Sequence, residues 1–252
     1  MSVVGAGRLG TAITRALRSA GVETHGPAGR GIPPAQADVV LLCVPDEEIR
    51  DAAHAARGSA RLIGHTSGAS TLVETDVDFG IHPLGSFLGA EDLAQFRALG
   101  CAIAGRSPEG LDAAESIARA LGMTAFAIDD DARPSYHAAA SVASNYLVTL
   151  QAAAERLAGA AGLEPAQARA LFTPLVRGTV ENWAAHGPAS ALTGPIARGD
   201  ERTVARQRAA VATGAPDLLD LFDVLATHTR VLAAHAGALA DGAPAARKES
   251  AS

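Results

Sequence analysis

Short apolar runs alternate with helical patterns over the first half of the chain. The runs typical of strands cover residues 3–4, 22–25, 37–45, 62–64, 79–81, 101–104 and 124–128. Strands that alternate with helices predict a parallel sheet with right-handed crossovers. The run at 37–45 is apolar almost without interruption, as expected of a central strand covered on both faces.

The second half of the chain has helical periodicity and no strand pattern. We expect helices at 134–161, 165–186, 200–213 and 216–239. The sequence therefore predicts an α/β fold, with an N-terminal Rossmann parallel sheet over residues 1–130 and a C-terminal all-helical domain over 131–240. The small, polar tail at 241–252 is expected to be disordered. Segment 26–34 is rich in Gly and Pro, which predicts that no helix joins the second and third strands.

Three glycines separate the first predicted strand from the first predicted helix. Their G-x-G-x-x-G spacing allows a sharp turn, close approach of a pyrophosphate to the backbone, and tight packing of helix on strand. The helix then directs its free N–H groups at the phosphates. The alternative is a tight turn that binds nothing. The candidate cofactor-binding residues are Gly5, Gly7, Arg8, Leu9 and Gly10, with Val44 and Pro45 at the end of the third strand.

The residues after the second strand bear on the choice of cofactor. NAD-binding units place an Asp or Glu there, against the ribose 2′-hydroxyl. Here no carboxylate follows His25 until Asp38, whereas Arg30, and also Arg8, can meet a 2′-phosphate. This favours NADP (NADPH) over NAD. The alternative is that Arg30 is a solvated loop residue.

Composition narrows the class of protein. The chain has 252 residues and a formal net charge of -6, which argues against nucleic acid or an anionic membrane as a main partner. No apolar run reaches the roughly 18 residues of a membrane span, and no signal peptide is evident. Cys43 and Cys101 have neither disulfide nor metal-site spacing, so we expect no metal. A cytoplasmic enzyme fits this composition.

Histidines and serines follow the fourth and fifth strands, at the sheet edge where ligands bind in such folds. His65 and Ser67 follow one strand, and His82 and Ser86 the next. A histidine with a pKa near neutrality can act as a general acid or base, and a serine can orient it. His82 with Ser67 is the favoured pair. For each histidine the alternative is a loop residue bonded to backbone.

Polar residues also recur along the first helix of the second half. His137, Ser141 and Asn145 are spaced by four residues and share one face. They can face substrate and nicotinamide, or form a hydrogen-bonded seam between helices. Arg198 can clamp a substrate carboxylate or hold the loop between two helices.

These motifs resemble one known family, the Rossmann-like proteins with a C-terminal domain of unknown function numbered 2520. The resemblance rests on GAGRLG (5–10), GPAGRG (26–31), VVLLCVPD (39–46), GHTSG (64–68), HPLGSF (82–87), YHAAAS (136–141), SNYLVTL (144–150) and LTGPIARGD (192–200). It implies an NADP-binding Rossmann domain followed by a helical substrate and dimerisation domain like that of 6-phosphogluconate dehydrogenase relatives. A homodimer through the helices is then expected.

More distant relatives suggest a mechanism. β-Hydroxyacid dehydrogenases use a helix lysine as acid or base, but the only lysine here is Lys248 in the tail. Prephenate dehydrogenases place a catalytic histidine in an H-P-x-x-G loop, partnered by a serine. His82 and Ser67 match that pattern, although Ser86 replaces the motif's glycine.

The resulting expectation is an NADP(H)-dependent oxidoreductase. It would transfer a hydride to or from the carbonyl or imine carbon of a small anionic metabolite. His82 would donate the proton, Ser67 would orient it, and Ser141 and Asn145 would hold the substrate oxygen. The alternative is a catalytically inactive dinucleotide-binding sensor or scaffold.

Overall fold

The structure, a computed structural model, describes the backbone of residues 1–242 and the side chains of residues 1–235. It divides into two compact units, Met1–Tyr146 and the chain from Leu147 on. The division falls later than the predicted boundary near residue 130, because the first helix after the last strand bonds to the sheet unit through Arg133 and Tyr136. The tail predicted to be disordered lies outside the described residues from 243 on.

The first unit is a sheet with helices on both faces. Its strands are β1 (Ser2–Val4), β2 (His25–Ala28), β3 (Val39–Leu42), β4 (Leu62–His65), β5 (Phe79–Pro83), β6 (Gly100–Gly105) and β7 (Thr124–Ala127). Its helices are α1 (Arg8–Ser19), α2 (Ile49–Ala56), α3 (Leu72–Thr75), α4 (Leu93–Arg97), α5 (Pro108–Ala120) and α6 (Arg133–Ala143). The strand order in the described chain is β2-β1-β3-β4-β5-β6-β7.

One strand pair departs from the predicted parallel sheet. Strands β1 to β5 are parallel, and so are β6 and β7, but β6 runs antiparallel to β5. The segment between these two strands contains only the short α4.

The second strand begins later than predicted. Gly21 has a left-handed φ of 82°, and the Val22 N–H bonds back to the Leu17 carbonyl at 3.0 Å. This is the hydrogen-bond pattern that closes a helix C-terminus, so Val22 belongs to the cap of α1 and not to a strand. Strand β2 therefore starts only at His25. As predicted, no helix lies between β2 and β3 in this described segment.

Strand β3 is buried on both faces, as its apolar run predicted. Leu41 packs in the same cluster as Ile13 of α1, and its neighbours Val40 and Leu42 pack on the opposite face with Ile49 of α2. All five side chains are fully buried. Burying one such side chain contributes about 1.5–3 kcal/mol, so the edge at which the strands end is held rigidly.

The predicted helix at 134–161 is two helices. Helix α6 ends at Ala143, and α7 (Asn145–Ala160) begins after Ser144, whose φ of -117° and ψ of -67° depart from regular helix values. The junction turns Ser144 and Asn145 toward the end of the sheet unit, where they line a cavity described below.

The second unit contains the remaining helices α8 (Pro165–Ala191), α9 (Glu201–Gly214) and α10 (Leu219–Gly242). Gly187, with φ 74°, interrupts α8 directly after the predicted end at residue 186. Bidentate surface pairs such as Arg156–Asp217 join helical segments, each contributing roughly 0–1 kcal/mol. Arg198 is exposed in the turn before α9, and its role stays a prediction. None of the described helices is both long and apolar enough to span a membrane.

Candidate functional site

The glycine turn after β1 is built by close backbone contacts. Gly5 has φ 102°, and a Cβ there would lie 2.2 Å from the Cys43 carbonyl oxygen. A Cβ on Gly10 would lie 1.9 Å from the Gly5 carbonyl oxygen. Both positions therefore require glycine. Gly7 precedes α1, and a Cβ there would meet nothing within 4 Å, so the space beside it is open to a ligand group.

A cavity of about 580 Å³ opens at this turn, at the carboxyl ends of β1 and β3. Of the predicted cofactor residues, five line it and three do not. Leu9 packs on the hydrophobic core, and Gly10 is buried against Gly5, so neither residue faces the cavity. Arg8 is exposed beside Gly89. The lining residues among those predicted are Gly5, Gly7, Arg30, Val44 and Pro45.

The cavity suits a dinucleotide. Helix α1 has no acidic residue in its first turn, and its N-cap Gly7 has no side chain to occupy the free N–H groups. Those groups and the helix dipole favour phosphate at this position. Gly5 and Gly10 permit the close turn that the motif requires, so the residues present fit a pyrophosphate.

An ion pair that the sequence did not predict lies at the same cavity. The Arg30 guanidinium contacts the Glu48 carboxylate, and both residues line the cavity wall. The Arg30 side chain is 82% exposed, which makes this a weak, exchangeable surface pair. Arg30 therefore lies at the cavity, but a carboxylate competes for it.

His82, near the carboxyl end of β5, is hydrogen-bonded to a tyrosine of α6. Its Nδ1 lies 2.8 Å from the Tyr136 hydroxyl, with the two rings nearly perpendicular at 87°. The His137 ring stands on another side, 5.8 Å away between centroids. Sequence reasoning missed Tyr136, although it directly precedes His137 of the predicted polar stripe.

Both partners of this hydrogen bond are uncharged at neutral pH. Burial, reinforced by His137 and Arg133, lowers the pKa of His82 to about 4. Burial raises the pKa of Tyr136 to about 12. The expectation that His82 titrates near neutrality is therefore wrong, because the ring lies in a poorly solvated site near the positive charge of Arg133.

The Ser67 hydroxyl is hydrogen-bonded within its own turn. Its Oγ accepts the backbone N–H groups of Ala69 at 3.1 Å and Ser70 at 2.9 Å, closing its own turn. The side chain hydrogen-bonded to His82 is that of Tyr136. The sequence showed that Ser67 ends a strand near His82, but the direction of a side chain in a tight turn depends on local backbone hydrogen bonds.

Gly68, the next residue, packs directly against the histidines. A Cβ on Gly68 would lie 2.7 Å from His137 Nδ1 and 2.9 Å from His82 Nε2. The Nε2 edge of His82 thus faces this backbone, while Nδ1 faces Tyr136. His65 is fully buried, and its Nδ1 accepts the Ser67 N–H at 3.1 Å. It belongs to the interior, and burial lowers its pKa to about 4.

A second cavity of about 570 Å³ brings His82 together with the predicted polar stripe. His137 and Ser141 reach it from α6, and Asn145 reaches it from the start of α7. The helix break at Ser144 separates Asn145 from the other two along the chain, yet all three line this cavity. Its polar lining residues are His82, Ser86, Tyr136, His137, Ser141, Ser144 and Asn145.

A family model described as Domain of unknown function (DUF2520) matches residues 99–229, more than half of the chain. The chain belongs to the DUF2520 family. The match begins just before β6 and includes α6, so Tyr136 and the polar stripe lie in the family region. No curated protein matches this DUF2520 chain.

Solved structures share the fold of this DUF2520 protein at low sequence identity. Protein TM1727 of Thermotoga maritima is 24% identical with a TM-score of 0.75, covering 93% of this chain and 98% of its own. BF3122 of Bacteroides fragilis, named a candidate NADP oxidoreductase, is 20% identical with a TM-score of 0.75, covering 91% and 97%. A Plasmodium falciparum pyrroline carboxylate reductase, solved with NADP bound, is 9% identical with a TM-score of 0.57, covering 92% and 97%. These likenesses confirm the predicted fold, a Rossmann-like sheet followed by helices.

Proposed function

We propose that this DUF2520 protein is an NADP(H)-dependent oxidoreductase that transfers a hydride to or from the carbonyl or imine carbon of a small anionic metabolite. The observation that carries the proposal is the position of the two cavities. One lies at the ends of β1 and β3, the other at the end of β5. These strands are parallel, so both cavities lie at one sheet edge, where β3 and β5 are two strands, on the order of 10 Å, apart.

The first cavity would hold the cofactor. The start of α1 and the open space before Gly7 suit the pyrophosphate. Arg30, with Arg8 nearby, would meet a 2′-phosphate, and no carboxylate follows β2 to bind a 2′-hydroxyl, which favours NADP over NAD. When bound, the cofactor supplies or accepts the hydride. A solved NADP-bound relative of the same fold adds support.

The second cavity would hold the substrate, and Tyr136 and His82 would carry out the proton transfer. Because the Nε2 edge of His82 lies against Gly68, the ring acts through Nδ1 and Tyr136. The Tyr136 hydroxyl donates a proton to the substrate oxygen or nitrogen, while the His82 Nδ1–H bonds to the phenolic oxygen and stabilises its developing charge. Ser141 and Asn145, on the same wall, would hold the substrate oxygen. Such acid–base assistance is typically worth about 10²–10⁴-fold in rate.

The polar groups of this cavity suit an anionic substrate without a formal ion pair. Among the described residues that line it there is neither arginine nor lysine. Ser86, Ser141 and Ser144 line it instead, and their hydroxyls can donate hydrogen bonds to a carboxylate.

The helices of the second unit support a homodimer. Several large apolar side chains there are more than 40% exposed, which is unusual for a surface that faces only water. A second copy of the chain is the simplest occupant of such a surface. Sedimentation of the protein and of Trp183→Glu tests this: a dimer that the substitution dissociates is expected, and a monomeric wild type contradicts it. The residues are Val148, Leu171, Leu175, Val180, Trp183, Val224 and Val231.

The decisive experiment is a cofactor titration followed by a substrate panel. We expect NADPH to bind more tightly than NADH, and NADPH to be oxidised with a member of a panel that includes ketopantoate, prephenate and pyrroline-5-carboxylate. Binding without turnover across a broad panel of keto acids and imines would favour a sensor or scaffold. Absence of binding to either cofactor would overturn the proposal altogether.

A further inference from the structure

The side chain of Arg133 is completely buried in the sheet unit. Its Nε donates to Asp130 Oδ1 at 3.0 Å, and its Nη1 donates to the Ser67 carbonyl at 2.9 Å. Its Nη2 has no hydrogen-bond partner among the described residues. A buried ion pair of this kind is often no more stable than apolar side chains of similar volume. Packing alone therefore does not account for a charge at this position.

The fold makes room for this guanidinium beside the proposed acid–base pair. A Cβ on Gly80 would lie 2.4 Å from Nη2, so only glycine leaves space there. Gly80 lies two residues before His82 on β5, and the two therefore share one face of the sheet. Tyr136 lies one turn after Arg133 on α6, also on a shared side.

The Ser67 carbonyl links Arg133 to the histidines. The residue that follows it, Gly68, packs against His137 Nδ1 and His82 Nε2. Asp130 anchors the other end of the guanidinium, because its carboxylate also accepts the Leu72 N–H at 2.9 and 3.0 Å. A change at Arg133 is thus expected to move the Gly68 backbone and with it the rings.

The charged and titratable groups around His82 come from several elements. Tyr136 and His137 face it from α6, and Asp46 acts on it from the segment after β3. Arg133, at the start of α6, and His137 both disfavour a positive charge on His82, whereas Asp46 favours one. Burial is the largest influence, and Arg133 adds to it.

We propose that Arg133 is a positioning residue for His82. Its bond to the Ser67 carbonyl sets the Gly68 backbone under the imidazole rings, so that His82 can support the Tyr136 hydroxyl, and its charge adds to the burial that disfavours a proton on His82. The contribution to turnover rests on the function proposed above, whereas the effects on ring position and protonation do not.

Nuclear magnetic resonance on the full-length protein with labelled histidines tests this, with His82 assigned through His82→Gln. Arg133→Met removes the charge at similar volume. In this variant the pKa of His82 should rise by about 0.5 or more, which means that the ring binds a proton roughly threefold more tightly. In Arg133→Lys the charge remains, so the pKa should stay nearer that of the wild type. The Gly68 amide resonance should shift in both variants, because neither side chain reproduces the guanidinium fork. Arg106→Met, which removes an exposed cation, is the matched control and should change neither signal.

A folded Arg133→Met with unchanged His82 titration and unchanged Gly68 resonance would overturn the proposal. If Arg133→Met does not fold, Arg133→Lys decides, since a Gly68 resonance identical to that of the wild type contradicts the positioning role. In a turnover assay, Arg133→Met should lower kcat and leave the Kd for NADPH unchanged. A wild type without turnover on any substrate would defeat the proposed function but not these spectroscopic results.

Discussion

The His82 Nδ1 and the Tyr136 hydroxyl lie 2.8 Å apart and join the end of β5 to the first turns of α6. This bond ties the strand that ends at the proposed substrate cavity to a helix that also lines that cavity. Because burial keeps both groups uncharged at neutral pH, one proton lies between two neutral partners. Its direction depends on the tautomer of His82.

The first prediction concerns this pair. Tyr136→Phe and His82→Gln should each lower kcat by about 10²–10⁴-fold, since each removes the proton donor or its support. The double variant should be little worse than either single one, because the two groups act as a unit. NADPH affinity, measured by fluorescence titration, should change by less than about twofold, because neither side chain lines the first cavity. Full activity in Tyr136→Phe would remove the tyrosine from the mechanism.

The second prediction concerns Gly68. Its backbone is not in the left-handed region, so Gly68→Ala is tolerated by the backbone but drives a methyl group against His82 and His137. We expect the rings to move, with a loss of turnover of at least about tenfold and a changed His82 resonance. Gly178→Ala, in α8 with nothing within 4 Å of its Cβ position, is the matched control. It should retain activity and gain up to about 1 kcal/mol of stability. An active Gly68→Ala would show that this contact does not set the rings.

The glycine turn at the proposed cofactor cavity could be predicted from the sequence, although Arg8, Leu9 and Gly10 do not line that cavity. Strand-turn-helix geometry restricts the backbone so closely that the spacing of Gly5 and Gly10 specifies their contacts. Glu48 could not be predicted as the partner of Arg30, because the two are 18 residues apart and meet only through the order of β2, β1 and β3.

The substrate half could be predicted only as a set of residue types. Helical spacing placed His137 and Ser141 on one face, and strand ends placed His82 near them. The bond to Tyr136 and the buried charge of Arg133 depend on how α6 docks, which periodicity does not encode. Arg133 lies shortly before Tyr136 and His137 in the sequence, which was the available signal. Arginines are usually solvated, however, so the sequence pattern did not indicate that this side chain is buried.

The third prediction concerns acid stability. His82 and His65 have their pKa values lowered to about 4, below the 6.5 of an unfolded chain. The unfolded state therefore binds more protons between these values, and the free energy of unfolding falls as the pH falls from about 6.5 toward 4. Each histidine should contribute a loss on the order of 2 kcal/mol at pH 4.5. Urea unfolding of the wild type and of His82→Gln at pH 7.5 and 5 measures this, and the variant should lose less stability on acidification. Equal losses would mean that His82 is not buried neutral.

The fourth prediction concerns Arg30 and Glu48. If Arg30 binds the 2′-phosphate, Arg30→Gln should weaken NADPH binding by about tenfold or more and leave NADH binding nearly unchanged. Glu48→Gln removes the competing carboxylate and should tighten NADPH by roughly 2–5-fold, the value of a surface ion pair. Increasing salt should narrow the difference between the two cofactors, because the 2′-phosphate contact is exposed. Fluorescence titrations of both cofactors measure these changes, with Arg61→Gln, an exposed arginine paired to Glu109 away from the cavity lining, as control. Equal weakening of NADH and NADPH in Arg30→Gln would assign Arg30 to the pyrophosphate or adenine instead, and would remove the basis for preferring NADP.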